Sequence, residues 1–221
     1  MTGRLLGSVA LWVCLPAGLS AAPLRDLAHA KRLVDGVIAR SMPELSGRVS
    51  VRAFSHRADH FRAQPRWWSL LPFVKTRYVV CVNLRATAEV SGCRALSVKG
   101  AEGVIAHELV HLRDMASGWR GMGRVIGALF SRKKEIVNEH RTDLQAVALG
   151  YGKGLAVFRH WISRRLAPKA LDIKRQTYYF PTEIAALERL LKQQPALLVE
   201  LDRSPPISLA EVEALVRRLS R

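Results

Sequence analysis

The chain has 221 residues, is 49% apolar and carries no repeat or low-complexity tract, which excludes a disordered chain or a repeat array. Lysine and arginine number 35 against 18 acidic residues, a formal charge of +17 and a pI of about 10.8. Such a surface attracts acidic lipid, nucleic acid, envelope polymers or acidic peptides without choosing among them, and it reads equally as a solvated charged face.

Residues 1–22 open with one early cation, Arg4. They continue through an apolar stretch broken by Gly7, Pro16 and Gly18, and end in Ser20, Ala21 and Ala22. That order is the one found in secretory signal peptides, with cleavage after Ser20 favoured because Pro23 follows Ala22. An uncleaved N-terminal anchor is the alternative, although the interrupted run is short against the roughly 20 apolar residues of a stable span. Either way the chain is expected to be exported, periplasmic or secreted. Loss of the leader removes Cys14 and leaves Cys81 and Cys93, which could close a disulfide in an oxidising compartment. The alternative is a buried strand thiol and a free loop thiol.

Residues 24–40 place Leu24, Leu27, Leu33, Val34, Val37 and Ile38 on one helical stripe. Residues 48–54 alternate apolar and polar as a strand, and residues 77–84 are β-branched like a more buried one. Between them, residues 61–77 hold two prolines and an aromatic centre, and read as a loop or extended arm. A helix is expected from Ser97 to Met115, then a glycine-punctuated basic connection over 118–134. Further helices are expected over 135–150, 153–166, 168–176, 182–193 and 208–220, the last opening with a capping-box spacing at Ser208 and Glu211. The sum is a helix-dominated α+β fold with a small antiparallel or mixed sheet. Residues 23–166 would form the main domain and 167–221 a helical extension packed on it.

The first helix after the strands contains His107-Glu108-Leu109-Val110-His111. Positions i and i+4 lie one turn apart on one face, so both imidazoles can reach one ion. Glu108 is rotated about 100° from His107 and can stand beside the ion as a general base toward an activated water. Val104, Ile105, Leu109, Val110 and Leu112 would bury this helix in the core. Two hydrogen-bonded histidines on a core helix are the plain alternative, and a third ligand separates the readings. Glu139 and Asp143, again i and i+4, supply one. Glu139 can complete the site as a carboxylate, and Asp143 can hold the other ring nitrogen of a ligating histidine. His140 is the rival third ligand, but it points about 100° away from Glu139 and leaves the Glu139–Asp143 pair unexplained. Asp114 reads as a solvated or helix-end carboxylate.

This pair of motifs, HELVH followed by Asn138-Glu139 and Thr142-Asp143, resembles the gluzincin (thermolysin-like) group of zinc metallopeptidases in a compact form. The resemblance is confined to the two motif helices. It implies a zincin-like domain with Zn2+ on His107, His111 and Glu139, Glu108 as general base, and peptide hydrolysis. It also implies an edge strand beside the cleft that pairs with substrate, for which Arg77 to Leu84 is the candidate. The family's downstream residue that stabilises the tetrahedral intermediate has no clear counterpart; Tyr178, Tyr179, His160 and Tyr151 are all candidates. The metzincin continuation is absent, since Asp114 stands where its glycine would be.

Two stretches have the character of a membrane interface. Trp67, Trp68, Leu70, Leu71 and Phe73 lie between Arg66 and Lys75, and residues 121–134 mix apolar residues with cations. Both fit peripheral contact with an anionic membrane, and both fit packing onto the core. The leading expectation is therefore an exported zinc-dependent peptidase acting on peptide or protein. The alternative is a non-catalytic basic envelope or membrane-surface binding protein with a structural or vestigial zinc site. No nucleic-acid partner is expected, because no DNA-binding motif or base-stacking pattern accompanies the charge.

Overall fold

The computed structural model describes residues 23–56, 60–66, 75–84 and 95–219, with the side chains of 119 and 120 left aside. The leader region, Cys93 and the Trp67–Phe73 stretch lie outside the described residues.

Nine helices and three strands are described, so helix dominates, and the sheet is mixed. Helix α1 (Leu27–Ser41) is capped by Asp26, whose carboxylate accepts from the His29 amide at 2.7 Å. A single 3-10 turn (Pro43–Leu45) leads to β1 (Val49–Phe54), followed by β2 (Phe61–Pro65) and β3 (Tyr78–Asn83). The strand order is β1-β3-β2, with β1 parallel and β2 antiparallel to β3.

Two expectations are corrected here. The stretch read as a loop or arm begins with a true strand, β2, in which Phe61 pairs with Val82 and Pro65 with Tyr78. Proline is tolerated because β2 lies at the sheet's edge among the described residues, where a missing amide costs no ladder bond. Conversely, the segment read as a substrate-pairing edge strand is the central strand. All six residues of β3 are buried and both its edges are taken by β1 and β2. Its unbroken apolar run is the pattern of a strand covered on both faces. Cys81 on β3 is a free, buried thiol.

Helix α2 (Val98–Ala116) starts at Ser97, whose hydroxyl accepts from the Gly100 amide at 3.2 Å. It carries HELVH through the middle of the molecule, with Val104, Ile105, Leu109, Val110 and Leu112 all buried. The basic connection is a helix, α3 (Trp119–Phe130), and α4 (Arg132–Ala146) follows after the single residue Ser131. A π-type turn, Val147–Tyr151, then passes the chain to α5 (Gly152–Ser163). Gly150 supplies the break with φ of 91°, a left-handed conformation that costs a side chain dearly.

Helix α5 crosses α2 at very short range. A Cβ on Gly103 would overlap the backbone of Gly154 and Leu155, and one on Gly154 would overlap the Lys99 carbonyl. The remaining helices are α6 (Pro168–Thr177), α7 (Pro181–Gln193), α8 (Leu197–Arg203) and α9 (Leu209–Leu219). They pack on α4, α5 and one another, and their apolar residues join the same core as those of α1 and α2. The short helix α8 has no counterpart in the periodicity of the sequence; it forms where Leu197 and Leu201 become buried and Asp202 meets Arg141.

Candidate metal centre

The HELVH helix is buried, so its two histidines cannot simply turn to water. His107 is 3% exposed, and its Nε2 lies 3.2 Å from His111 Nε2. Helix α4 runs beside α2 and inserts Glu139 between them. Glu139 Oε2 stands 3.1 Å from His107 Nε2 and 3.3 Å from His111 Nε2. Three donor atoms thus form a nearly equilateral triangle. Ligands bound at about 2.05 Å around a tetrahedral ion are separated by about 3.3 Å, so the triangle has the size that one small divalent ion requires. Glu139 Oε2 is also buried without a well-formed hydrogen bond, an unsatisfied state that an ion would relieve. His107, His111 and Glu139 form a group that can hold a metal ion.

The far sides of the rings are held as well. His107 Nδ1 lies 2.7 Å from Asp143 Oδ1. His111 Nδ1 lies 3.4 Å from the Thr142 hydroxyl, which itself donates to the Asn138 carbonyl at 2.8 Å. Both Nδ1 atoms therefore face acceptors, which leaves both Nε2 atoms directed at Glu139. Asp143 is wholly buried and has two further donors: Arg159 at 2.8 Å and the Tyr179 amide at 3.1 Å.

Burial alone would depress the His107 pKa, but the Asp143 and Glu139 carboxylates overcome it and pull it up to about 9. Burial would likewise raise Glu139; His111 and His107 hold it well below the usual carboxylate range. Asp143 follows the same pattern, kept low by Arg159 and then His107 against its own burial. The cluster is an anion pair balanced by positive charge, the electrostatic setting in which a cation is at home.

The rival ligand is elsewhere. His140 Nδ1 lies 2.8 Å from the Ile136 carbonyl, its ring packs edge-on against Tyr179 at 4.5 Å, and burial lowers its pKa so that it stays neutral. Asp114, read as a solvated or helix-end carboxylate, lies in the last turn of α2 but is not solvated: it is 5% exposed and paired with Arg141. Arg141 also holds Asp202 at 2.9 Å, tying α2 and α4 to α8.

A cleft opens on the His107 side of the triangle, lined by Phe61 of β2, Glu108, Arg159, Lys174 and Tyr178. Glu108 is partly exposed there, and among the described residues its carboxylate has no hydrogen-bond partner. Tyr178, just after α6, has its ring 5.9 Å from that of His107, with the Arg159 guanidinium 4.0 Å above its centroid and Lys174 Nζ at 4.9 Å. Burial, reinforced by Glu139, raises its pKa well above 10, so the hydroxyl stays protonated, and it too lacks a hydrogen-bond partner among the described residues. The other downstream candidates are engaged elsewhere. Tyr179 donates to the Pro206 carbonyl, Tyr151 pairs with Ser41 at 3.0 Å, and His160 is exposed on α5.

No family model, curated protein or solved structure matches this chain. Thr142, which the sequence shows only as a letter of the second motif, and Arg159 were given no role from the sequence. Thr142 sits three residues after Glu139 on the same helical face, a signal available in the spacing; Arg159 depends on how α5 docks.

Proposed function

We propose that the chain is a zinc-dependent metallopeptidase, with Zn2+ on His107, His111 and Glu139 and Glu108 as general base. The observation that carries this reading is a division of labour among the polar groups. Behind the triangle the Asp143 carboxylate is engaged by His107, Arg159 and the Tyr179 amide, whereas Glu108 and Tyr178, which share the cleft in front of it, have no hydrogen-bond partners among the described residues. A purely structural site has no use for an unpaired carboxylate and an unpaired phenol facing the same space. The donor set of two imidazoles and one carboxylate is that of catalytic zinc sites with an open position. Bound there, zinc would supply Lewis-acid polarisation and lower the pKa of water to about 7.

The protein's own groups would do the rest. Glu108 accepts the proton of the attacking water and delivers it to the leaving amine. Tyr178, locked in its neutral form, donates a hydrogen bond to the oxygen on which negative charge develops. Arg159 holds Asp143 and covers one face of the Tyr178 ring, which fixes both residues at once. A peptide would lie along β2, the edge strand that contributes Phe61 to the cleft. In the same proposal the activity lies outside the cytoplasm, a reading supported by the leader-like order of residues 1–22 in the sequence.

Glu108→Gln is the discriminating change. Assayed on a quenched-fluorescent peptide library, it should lower turnover by about 100-fold or more while zinc content and fold stay those of the wild type. Turnover equal to the wild type would remove Glu108 from the mechanism and leave a non-catalytic metal site.

A further inference from the structure

Helix α3 is anchored to the molecule by one side only. Gly121 sits so close to the Asp114 carbonyl that a Cβ there would overlap it, and Arg124 reaches Asp114 at 3.5 Å. The opposite side buries little. Ile126, Leu129 and Phe130 occupy positions i, i+3 and i+4, and are 46%, 77% and 85% exposed. They are three of the six large apolar side chains that are exposed among the described residues. Exposed phenylalanine and leucine at one helical corner are not explained by packing among the described residues.

The corner is cationic. Between Met115 and Lys134 the sequence contains Arg120, Arg124, Arg132, Lys133 and Lys134, and no acidic residue. Arg132 is occupied by Glu135 at 2.8 Å and by Thr177. Lys133 and Lys134, by contrast, make no ion pair among the described residues and are exposed directly after the apolar corner. Ile173, also 47% exposed, adjoins it, since Arg132 reaches the Ile173 carbonyl. An apolar tip ringed by cations, on a chain of net charge +17, is complementary to an interface with acyl chains below an anionic headgroup layer. It is a poor match for a basic copy of the same chain, which would repel it. No helix among the described residues is long and apolar enough to cross a membrane, so the contact is peripheral as far as they reach.

We infer that the α3–α4 corner, with Leu129, Phe130, Lys133 and Lys134 at its tip, is a membrane-docking surface that seats the protein on an anionic lipid bilayer. The surface lies on the excursion that joins the two ligand helices α2 and α4, so docking would hold the metal centre close to the bilayer. The inference stands independently of peptide hydrolysis.

The test is co-sedimentation of the full chain with phosphatidylserine–phosphatidylcholine vesicles and with phosphatidylcholine vesicles, at low salt. The wild type should pellet with the anionic vesicles alone. Leu129→Ser with Phe130→Ser should weaken that binding on the order of tenfold or more, and Lys133→Gln with Lys134→Gln by about fivefold per charge removed. All four side chains are exposed, so the melting temperature and zinc content should not change. Retention of wild-type binding by both variants would place the contact elsewhere and overturn the inference, as would a wild type that stays in the supernatant. A concentration-dependent dimer abolished by the Leu129→Ser and Phe130→Ser changes would overturn it too, by making a second copy the occupant.

Discussion

His107 is the residue on which the site turns, because it stands between two carboxylates and has lost its water. In the metal-free chain its pKa of about 9 exceeds the unfolded value of 6.5. The native state therefore binds more protons than the unfolded state between these values, and stability falls as pH rises through that window. The contribution is complete below about pH 6.5 and gone above about pH 9. Urea midpoints of the chelator-treated chain should decline across the window, and His107→Gln should flatten the profile. An equally steep decline in the variant would mean that another group titrates there. Asp143 makes the same point from the other side of the ring. Asp143→Asn keeps the shape but removes the charge that favours a well-oriented, basic imidazole. It should weaken zinc binding by about 10–100-fold in competition with a chromophoric chelator. The residues legible in advance were those bound by arithmetic within one helix: His107, Glu108 and His111 on α2, Glu139 and Asp143 on α4. Arg159 was not, since its partner Asp143 lies on a different helix and the pairing depends on packing that spacing does not encode.

At the scale of elements, what aligns the site is the close crossing of α2 and α5. Gly103 and Gly154 let the two backbones touch, which brings Arg159 and Phe158 over the HELVH helix. Gly103→Ala inserts a methyl against backbone, where no rotamer change relieves it. It should cost about 3 kcal/mol or more and lower the melting temperature accordingly. Gly36→Ala on α1 is the contrast: nothing lies within 4 Å of the added methyl, so the change should stabilise by about 0.5–1 kcal/mol. Equal effects at the two positions would mean that α2 and α5 do not meet as described. Helix positions were legible where the 3.6-residue period and a cap such as Ser97 mark them locally; α4 starts at Arg132, three residues ahead of the expected start, because Ser131 caps it. Strand roles were not. The β-branched run of β3 signals burial, but whether a strand is central or at an edge is decided by which segments pair with it. β2, shortened by Pro65, looked like a loop until its partner was known. Glycines at 118, 121, 123 and 127 likewise masked α3, whose helicity is rescued by its packing on α2 and α4.

Over the whole molecule, one core runs from Leu24 to Leu215, and the candidate metal centre sits where α2, α4, α5 and the end of α6 converge on it. Its two protein supports, the buried Asp143–Arg159 pair and the Asp114–Arg141–Asp202 chain of ion pairs, cross-link these helices without the ion. The ligands thus come preassembled, and an ion that binds the native state alone adds its binding free energy to stability. The helix-dominated α+β class was legible from composition and periodicity. The convergence was not, because it joins residues far apart in sequence. The proposed zinc site is tested by metal content per chain, determined by atomic emission on the purified full chain and on Glu139→Ala and His140→Ala after zinc reconstitution. One zinc per chain is expected in the wild type, retained in His140→Ala and lost in Glu139→Ala. A wild type that takes up no zinc, or a site that survives Glu139→Ala and disappears with His140→Ala, would contradict it.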